Sequence, residues 1–153
     1  MTLRLRFNLL ITLIMLFLII ALAAVTISSS KRSIQEGVES ANKVTIQYLE
    51  TIIVRSVQNP EWGNTHDVIR RFLRQLGYVR SNDIFLYNDQ GDLTYQSPPS
   101  SYKLEVIPPQ WFINYISPKK ESNSRLIQSG RLVVQSNASG AIRGVWVDLR
   151  TLF

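Results

Sequence analysis

The stretch of sequence that decides the fold is residues 83–97, DIFLYNDQGDLTYQS. Its first six residues are mostly apolar or aromatic, a composition that favours a β-strand. Residues 89–92 are turn formers, and Gly91 supplies a residue that adopts a positive φ without steric cost. Residues 93–97 alternate between larger apolar and polar side chains, as in a strand with one buried face. The stretch therefore predicts two antiparallel strands joined by a short turn.

The chain after this stretch predicts a second pair of strands. Residues 98–101 break the sheet, and residues 108–112 open a short helix, because proline fits the first helical turn. Residues 125–128 and 131–136 flank Ser129-Gly130, a two-residue hairpin signal. The side chains expected to face the core in this hairpin are Leu126, Leu132 and Val134.

Helices are predicted on both sides of the strands. Thr65 fits the N-cap of a helix with an apolar stripe, and Gly77 fits the residue after its last turn. At the other end, residues 138–153 form a final helix in this prediction, although Gly140 and Gly144 weaken it. This order of elements indicates an α+β fold, in which an antiparallel sheet is flanked by helices.

Residues 28–58 are predicted to form one long helix, which Asn59-Pro60 ends because proline cannot donate a backbone hydrogen bond. An apolar seam of heptad spacing runs along it, with small and polar members, and consists of Ile34, Val38, Ala41, Thr45, Tyr48 and Ile52. Two interpretations stay open. The helix packs on its own domain, or it pairs in parallel with the same helix of a second subunit in a homodimer.

Residues 7–27 are almost wholly apolar. About 20 such residues span a ~30 Å hydrocarbon core, so the run predicts a transmembrane helix. A cleaved signal peptide is the alternative, but its apolar region is usually only ~7–15 residues long. Basic residues flank both ends of the run, and long C-terminal domains are commonly translocated. We therefore expect a single-pass protein of the bacterial inner membrane, with residues 1–6 in the cytoplasm, residues 7–27 in the membrane and the domain that follows them in the periplasm.

The composition argues against several kinds of chemistry. The chain has no cysteine, so it holds no disulfide, thiol nucleophile or zinc–thiolate site. Its one histidine, His66, is expected to be exposed at a helix start, without a carboxylate cluster of metal-ligand spacing around it. The net charge of +6 is spread along the chain, which disfavours nucleic-acid binding. No phosphate loop or nucleophile elbow occurs, and the sequence predicts a non-enzyme without cofactor or metal.

Four stretches carry a family resemblance: residues 3–6 with the apolar helix and 36–39 beyond it, residues 84–93, residues 108–112, and residues 130–134 followed by 145–149. In their order and spacing the chain resembles the N-terminal transmembrane and periplasmic sensor region of LapD/MoxY-type bacterial signal-transduction proteins, including two-component sensor histidine kinases. The resemblance implies a PAS-like sensor domain over residues 59–137, a last helix that leads back towards the membrane, and a dimer. The given sequence stops about where a second membrane helix is expected, and it contains no kinase module, whereas a full-length relative would be a histidine kinase.

The sequence leaves functions of different classes open. The first is an extracytoplasmic sensory input module, which passes binding of an unknown periplasmic ligand or protein to a cytoplasmic output. The second is a membrane-anchored periplasmic protein-binding or assembly subunit without signalling output. A pilin-like subunit is disfavoured because no acidic residue precedes Glu36. If a ligand pocket exists, its candidate residues are Arg80, Tyr95 and Trp111, although core packing explains the aromatic residues more simply.

Overall fold

The structure is a computed structural model that describes residues 3–152. Its first element is one α-helix of 56 residues, α1 (Leu3–Gln58). The N-terminal part of α1 is long and apolar enough to cross a membrane, and its most apolar window is not buried in the protein. Residues 7–27 would cover about 31 Å at the rise of an α-helix. The predicted continuation of the apolar run into a long helix is therefore confirmed.

The remaining elements follow the predicted order. A 3-10 turn (Pro60–Trp62) is followed by α2 (Thr65–Leu76), β1 (Asn82–Asn88), β2 (Leu93–Gln96), α3 (Gln110–Ile116), β3 (Ser122–Ile127), β4 (Gly130–Ser136) and α4 (Ser139–Leu152). The four strands form one antiparallel sheet in the order β2-β1-β4-β3. The fold is α+β with helices flanking the sheet, as predicted.

Two apolar clusters pack against α1 at different distances from its apolar end. The distal cluster joins the sheet and α2 to the far part of α1, through Leu49, Ile69, Leu73, Ile84, Leu86, Leu132 and Val134. The proximal cluster joins α3 and α4 to the part of α1 nearer the apolar run, through Ile34, Val38, Phe112, Ile116, Ile142 and Leu149. The helices α3 and α4 therefore lie closer than α2 and the distal cluster to the point where α1 would enter a membrane.

The apolar seam of α1 packs largely on its own domain. Ile34 and Val38 are buried in the proximal cluster, and Ile52 contacts the distal one. Asn82 Nδ2 donates a hydrogen bond to Thr45 Oγ1 at 3.0 Å. The first interpretation is thus confirmed for these positions. The buried line of α1 also includes Asn42, Leu49 and Ser56, which the heptad seam omits, because a straight α-helix repeats every 3.6 rather than every 3.5 residues.

The second hairpin corrects one core prediction. Leu126 is 86% exposed, whereas Leu132 and Val134 are buried as predicted. Ile127 pairs with Gly130, so the loop consists of Gln128 and Ser129 rather than Ser129-Gly130. Leu126 lies opposite Arg131 on the outer face of the sheet. Since side chains alternate between faces, Leu126 points away from the core.

The start of α2 differs from its prediction by one residue. Asn64 is the N-cap, and its side chain accepts a hydrogen bond from the His66 backbone N–H at 3.1 Å. Thr65 is instead buried, with its hydroxyl 3.2 Å from that of Ser56. Asparagine is the stronger N-cap of the two, and the Thr65 hydroxyl contacts Ser56 of α1 instead.

The first turn is formed as predicted. Gly91 has φ +86°, and the side-chain carbonyl of Asn88 accepts hydrogen bonds from the backbone N–H groups of Gln90 and Asp92. This turn closes the β1–β2 hairpin, in which the register shifts between Leu86 and Tyr87.

Candidate functional site

A cavity of about 440 Å³ lies beside the first turns of α4. Its walls come from the segment before α3, the C-terminal end of α3, the segment that leads to β3, and α4. Most of the lining is apolar: Leu104, Val106, Ile107, Pro108, Ile113, Pro118, Ala138 and Ile142. Small-molecule sites typically have volumes of ~300–1,000 Å³ and walls that are largely apolar, so the cavity has the size and character of a ligand site.

The wall formed by α4 is held in place by Asn137, which lies between β4 and this helix. Its backbone N–H donates to the carbonyl of Ser81 at 2.9 Å, and its side-chain amide donates to the carboxylate of Asp83 at 2.8 Å. Its side-chain oxygen accepts from the backbone N–H of Ser139 at 3.0 Å, which caps α4. The helix that borders the cavity is therefore fixed, at its first residue, to one end of the central strands β1 and β4.

Two cations give the cavity a positive electrostatic character. Lys120 and Arg143 are the charged residues among its described lining, and no carboxylate is among them. Arg143 donates hydrogen bonds to the backbone carbonyl and hydroxyl of Ser139, and within residues 3–152 neither cation forms an ion pair. A cleft with charges of one sign and low-dielectric walls attracts a ligand of the opposite sign.

A smaller cavity of about 190 Å³ lies between the large cavity and α1. Pro118 and Ser136 line both cavities, and Val38 of α1 lines the smaller one. Next to it, Asn42 Nδ2 of α1 donates to Glu121 Oε2 at 3.4 Å. The segment of residues 117–121 thus stands between the large cavity and the helix that leads to the apolar run.

The structure does not bring the three predicted ligand residues into this cavity. Arg80 is exposed between α2 and β1. Tyr95 packs against the distal cluster and donates its hydroxyl to the carbonyl of Leu73 at 2.9 Å, and burial raises the pKa of this phenol. Trp111 lies on α3 against Phe112 and Trp146. They belong to different parts of the molecule, and none is among the described residues that line the cavity.

The sequence analysis did not identify the residues that line the cavity, because the segment that supplies several of them has no periodic pattern. Leu104, Val106 and Ile107 lie in an irregular segment between β2 and α3. An exposed loop is normally polar. A loop segment with several apolar residues and no helical or strand periodicity is therefore expected to contact something. This composition predicts that the loop is covered by other parts of the protein or by a ligand, but it does not predict which residues lie opposite it.

His66 is buried, which corrects the expectation that it is exposed. Its Nε2 lies 3.0 Å from the hydroxyl of Thr94, and that hydroxyl donates to the carbonyl of Leu86 at 3.0 Å. The ring thus links α2 to β2 and has a structural role.

The described residues contain no group of three histidine, cysteine or acidic side chains that could hold a metal ion. Comparison of the chain with protein-family models and with curated proteins found no match in either case. The features of the molecule that bear on its function are the cavity, its charges and its place relative to α1.

Proposed function

We propose that the chain is the extracytoplasmic sensory input module of a membrane-bound signal-transduction protein of the sensor histidine kinase type. In this proposal α1 anchors a PAS-like domain on the periplasmic side of a bacterial inner membrane, and the chain itself catalyses no reaction. The observation that carries the proposal is the 440 Å³ cavity, whose walls include α4 and the segment that contacts α1. Ligand binding in this cavity can shift α4 and α1, because both helices pack in the proximal cluster.

The ligand that fits the cavity best is a small apolar molecule with one anionic group. The apolar walls offer burial of a hydrocarbon body, which stabilises a complex by roughly 25 cal/mol per Å² of apolar surface removed from water. Lys120 and Arg143 are placed to receive a carboxylate or phosphate group, since no described lining residue would compete as an anion. A neutral ligand of the same shape would leave the two cations unused.

Transmission in this proposal runs through the segment of residues 117–121. A ligand that displaces Pro118 changes the wall shared by the two cavities, and Glu121 in the same segment contacts Asn42 of α1. Asn42 is buried, and its side-chain oxygen has no partner in the structure. A buried polar group with incomplete hydrogen bonding is costly, so a small shift of α1 that satisfies this oxygen would favour a second arrangement of the helix.

Decanoate, a linear carboxylate, is expected to bind the full chain in nanodiscs, as measured by isothermal titration calorimetry. Replacing both Lys120 and Arg143 by glutamine should weaken this binding by about tenfold or more, because a charge-assisted hydrogen bond contributes roughly 1.5–3 kcal/mol. Arg150→Gln is the matched control, because Arg150 is an exposed cation on α4 that does not line the cavity. No binding to the unmodified protein, or an equal loss in the Arg150 variant, would contradict the assignment.

The homodimer is also part of the proposal, and the structure indicates which face of α1 is free for it. One side of α1 is exposed, with residues at spacings close to a heptad: Gly37, Val44, Tyr48 and Thr51. This side shares only Tyr48 with the predicted seam, which contacts the domain at Ile34, Val38, Thr45 and Ile52. A parallel pair of these faces would let a rotation of α1 reach a cytoplasmic output.

Val44→Cys is therefore expected to form a disulfide between subunits under mild oxidation, and decanoate should change the rate at which it forms. Val57→Cys is the control, because Val57 is equally exposed but lies about 140° around the helix from Val44. The native chain has no cysteine that could compete. Equal crosslinking of both variants would exclude this face. Decanoate binding without a change in rate would instead favour a membrane-anchored binding or assembly subunit without signalling output.

A further inference from the structure

The short helix α3 exposes two aromatic side chains on one face. Trp111 is 62% exposed and Tyr115 is 50% exposed, and residues four apart lie on the same side of a helix. On a neighbouring face, about 100° around the helix axis, Phe112 and Ile116 are completely buried in the proximal cluster. The helix is thus anchored by one face, while the other presents a tryptophan and a tyrosine to the surroundings. Large apolar side chains exposed together usually mark a surface that contacts something else.

The position of α3 along α1 indicates what this surface meets. The proximal cluster that holds α3 includes Ile27, the last residue of the apolar run. Lys31 Nζ lies 4.7 Å from the centre of the Tyr115 ring. Lys31 is one helical turn beyond Ile27, which is about 6 Å along the axis of α1. With α1 in a bilayer, Tyr115 is therefore level with the polar headgroup region, which is roughly 5–8 Å thick on each side of the hydrocarbon core.

We propose that the exposed face of α3 lies in the headgroup layer of the bilayer that α1 spans, so that the domain rests on lipid through Trp111 and Tyr115. Tryptophan and tyrosine concentrate at this depth because each ring is apolar while its N–H or O–H hydrogen-bonds with water and headgroups. Lys31, between the two aromatic residues and the apolar run, is placed to contact lipid phosphate. The proposal depends on the membrane span of α1 and not on the ligand or the dimer.

The contacts of Trp111 make this surface rigid rather than adaptable. Its ring packs edge-on against Phe112, with centroids 5.7 Å apart, and against Trp146, with centroids 6.2 Å apart. Trp146 belongs to α4, so a lipid contact of Trp111 is joined directly to the helix that borders the large cavity. The membrane surface therefore fixes the orientation of α3 and, through it, supports α4.

Tryptophan fluorescence in nanodiscs tests this contact, because the chain has only three tryptophans. Full-length variants that keep one tryptophan and carry phenylalanine at the other two are compared in plain lipid and in lipid brominated near the headgroup end of its acyl chains. The variant that keeps Trp111 should be quenched several-fold more strongly by bromine than the variant that keeps Trp62. Trp62 is the matched control: it is 48% exposed, but α1 separates its turn from Ile27 by about 46 Å.

Equal quenching of Trp62 and Trp111, or no effect of bromine on Trp111, would overturn the proposal. If bromine does not quench Trp111 but the emission of Trp111 shifts with the number of protein copies per nanodisc, a second copy covers this face instead of lipid. A variant that fails to fold does not block the test, because Trp111→Phe in the otherwise native chain provides a second measurement. In that variant the bromine-sensitive part of the total emission should largely disappear.

Discussion

Phe112→Ala is expected to lower the free energy of unfolding of the domain by about 3–5 kcal/mol, the range for removing a fully buried phenylalanine. Phe112 has no exposed surface and lies at the centre of the proximal cluster, with its ring centroid 4.9 Å from that of Trp146. Its loss leaves a cavity where α1, α3 and α4 meet. Denaturant unfolding in detergent micelles measures the change.

The neighbouring Trp111→Ala is the matched control for this experiment. It removes a larger ring from the same helix, but from a side chain that is mostly exposed, so in micelles it should cost much less than Phe112→Ala. Hydrogen exchange in the Phe112 variant should rise first in α3 and α4, and less in the sheet, because the two apolar clusters are separate. Equal losses from the two substitutions would mean that Phe112 is not the residue that holds α3.

Gly130→Ala should cost about 3 kcal/mol, near the upper end of the usual range for an added methyl group in a closely packed site. A Cβ at this position would lie 2.1 Å from the carbonyl oxygen of Tyr87 and 3.2 Å from Cδ2 of His66. The first contact is with backbone at one end of the β1–β4 pairing, where Gly130 is opposite Asn88. The strand must move, because no side-chain rotation relieves the overlap.

Gly91→Ala separates this overlap from ordinary backbone strain. A Cβ at Gly91 meets no atom within 4 Å, but φ is +86°, so the expected cost is only the ~1 kcal/mol of a left-handed conformation for a residue with a side chain. Thermal unfolding of the two variants in the same detergent gives the comparison. If Gly130→Ala were no more destabilising than Gly91→Ala, β1 and β4 would not approach as closely as the structure has them.

Several features could be predicted because they depend on neighbours in the chain. The turn at Gly91, the end of α1 before Pro60 and the order of helices and strands follow from turn chemistry, proline and the spacing of apolar residues. Leu126 shows where this kind of prediction stops. Its strand is predicted over residues 125–128 and forms over Ser122–Ile127, and a hairpin loop shifted by one residue moves Leu126 from the core to the outer face.

The burial of His66 and the exposed side of α1 also could not be predicted from neighbouring residues in the chain. A histidine at a helix start is exposed unless another part of the chain covers it, and here Thr94 of β2 does so. The domain covers most of the predicted seam of α1, and the exposed side of the helix, which includes Val44 and Thr51, is a different one. Which face of an amphipathic helix is covered depends on the direction from which its partners approach.

By itself, the sequence determined a long helix with an apolar run, the α+β class and the element order, because these depend on composition and on spacings of a few residues. Only the tertiary structure decided where a ligand could bind. It brought Lys120 and Arg143 to one apolar cavity and left Arg80, Tyr95 and Trp111 in separate places. It also set α3 beside the end of the apolar run, because Phe112 and Ile116 are buried in the proximal cluster, against which Ile27 packs. Contacts between residues far apart in the chain arise from packing apolar surfaces together, and no local pattern specifies them.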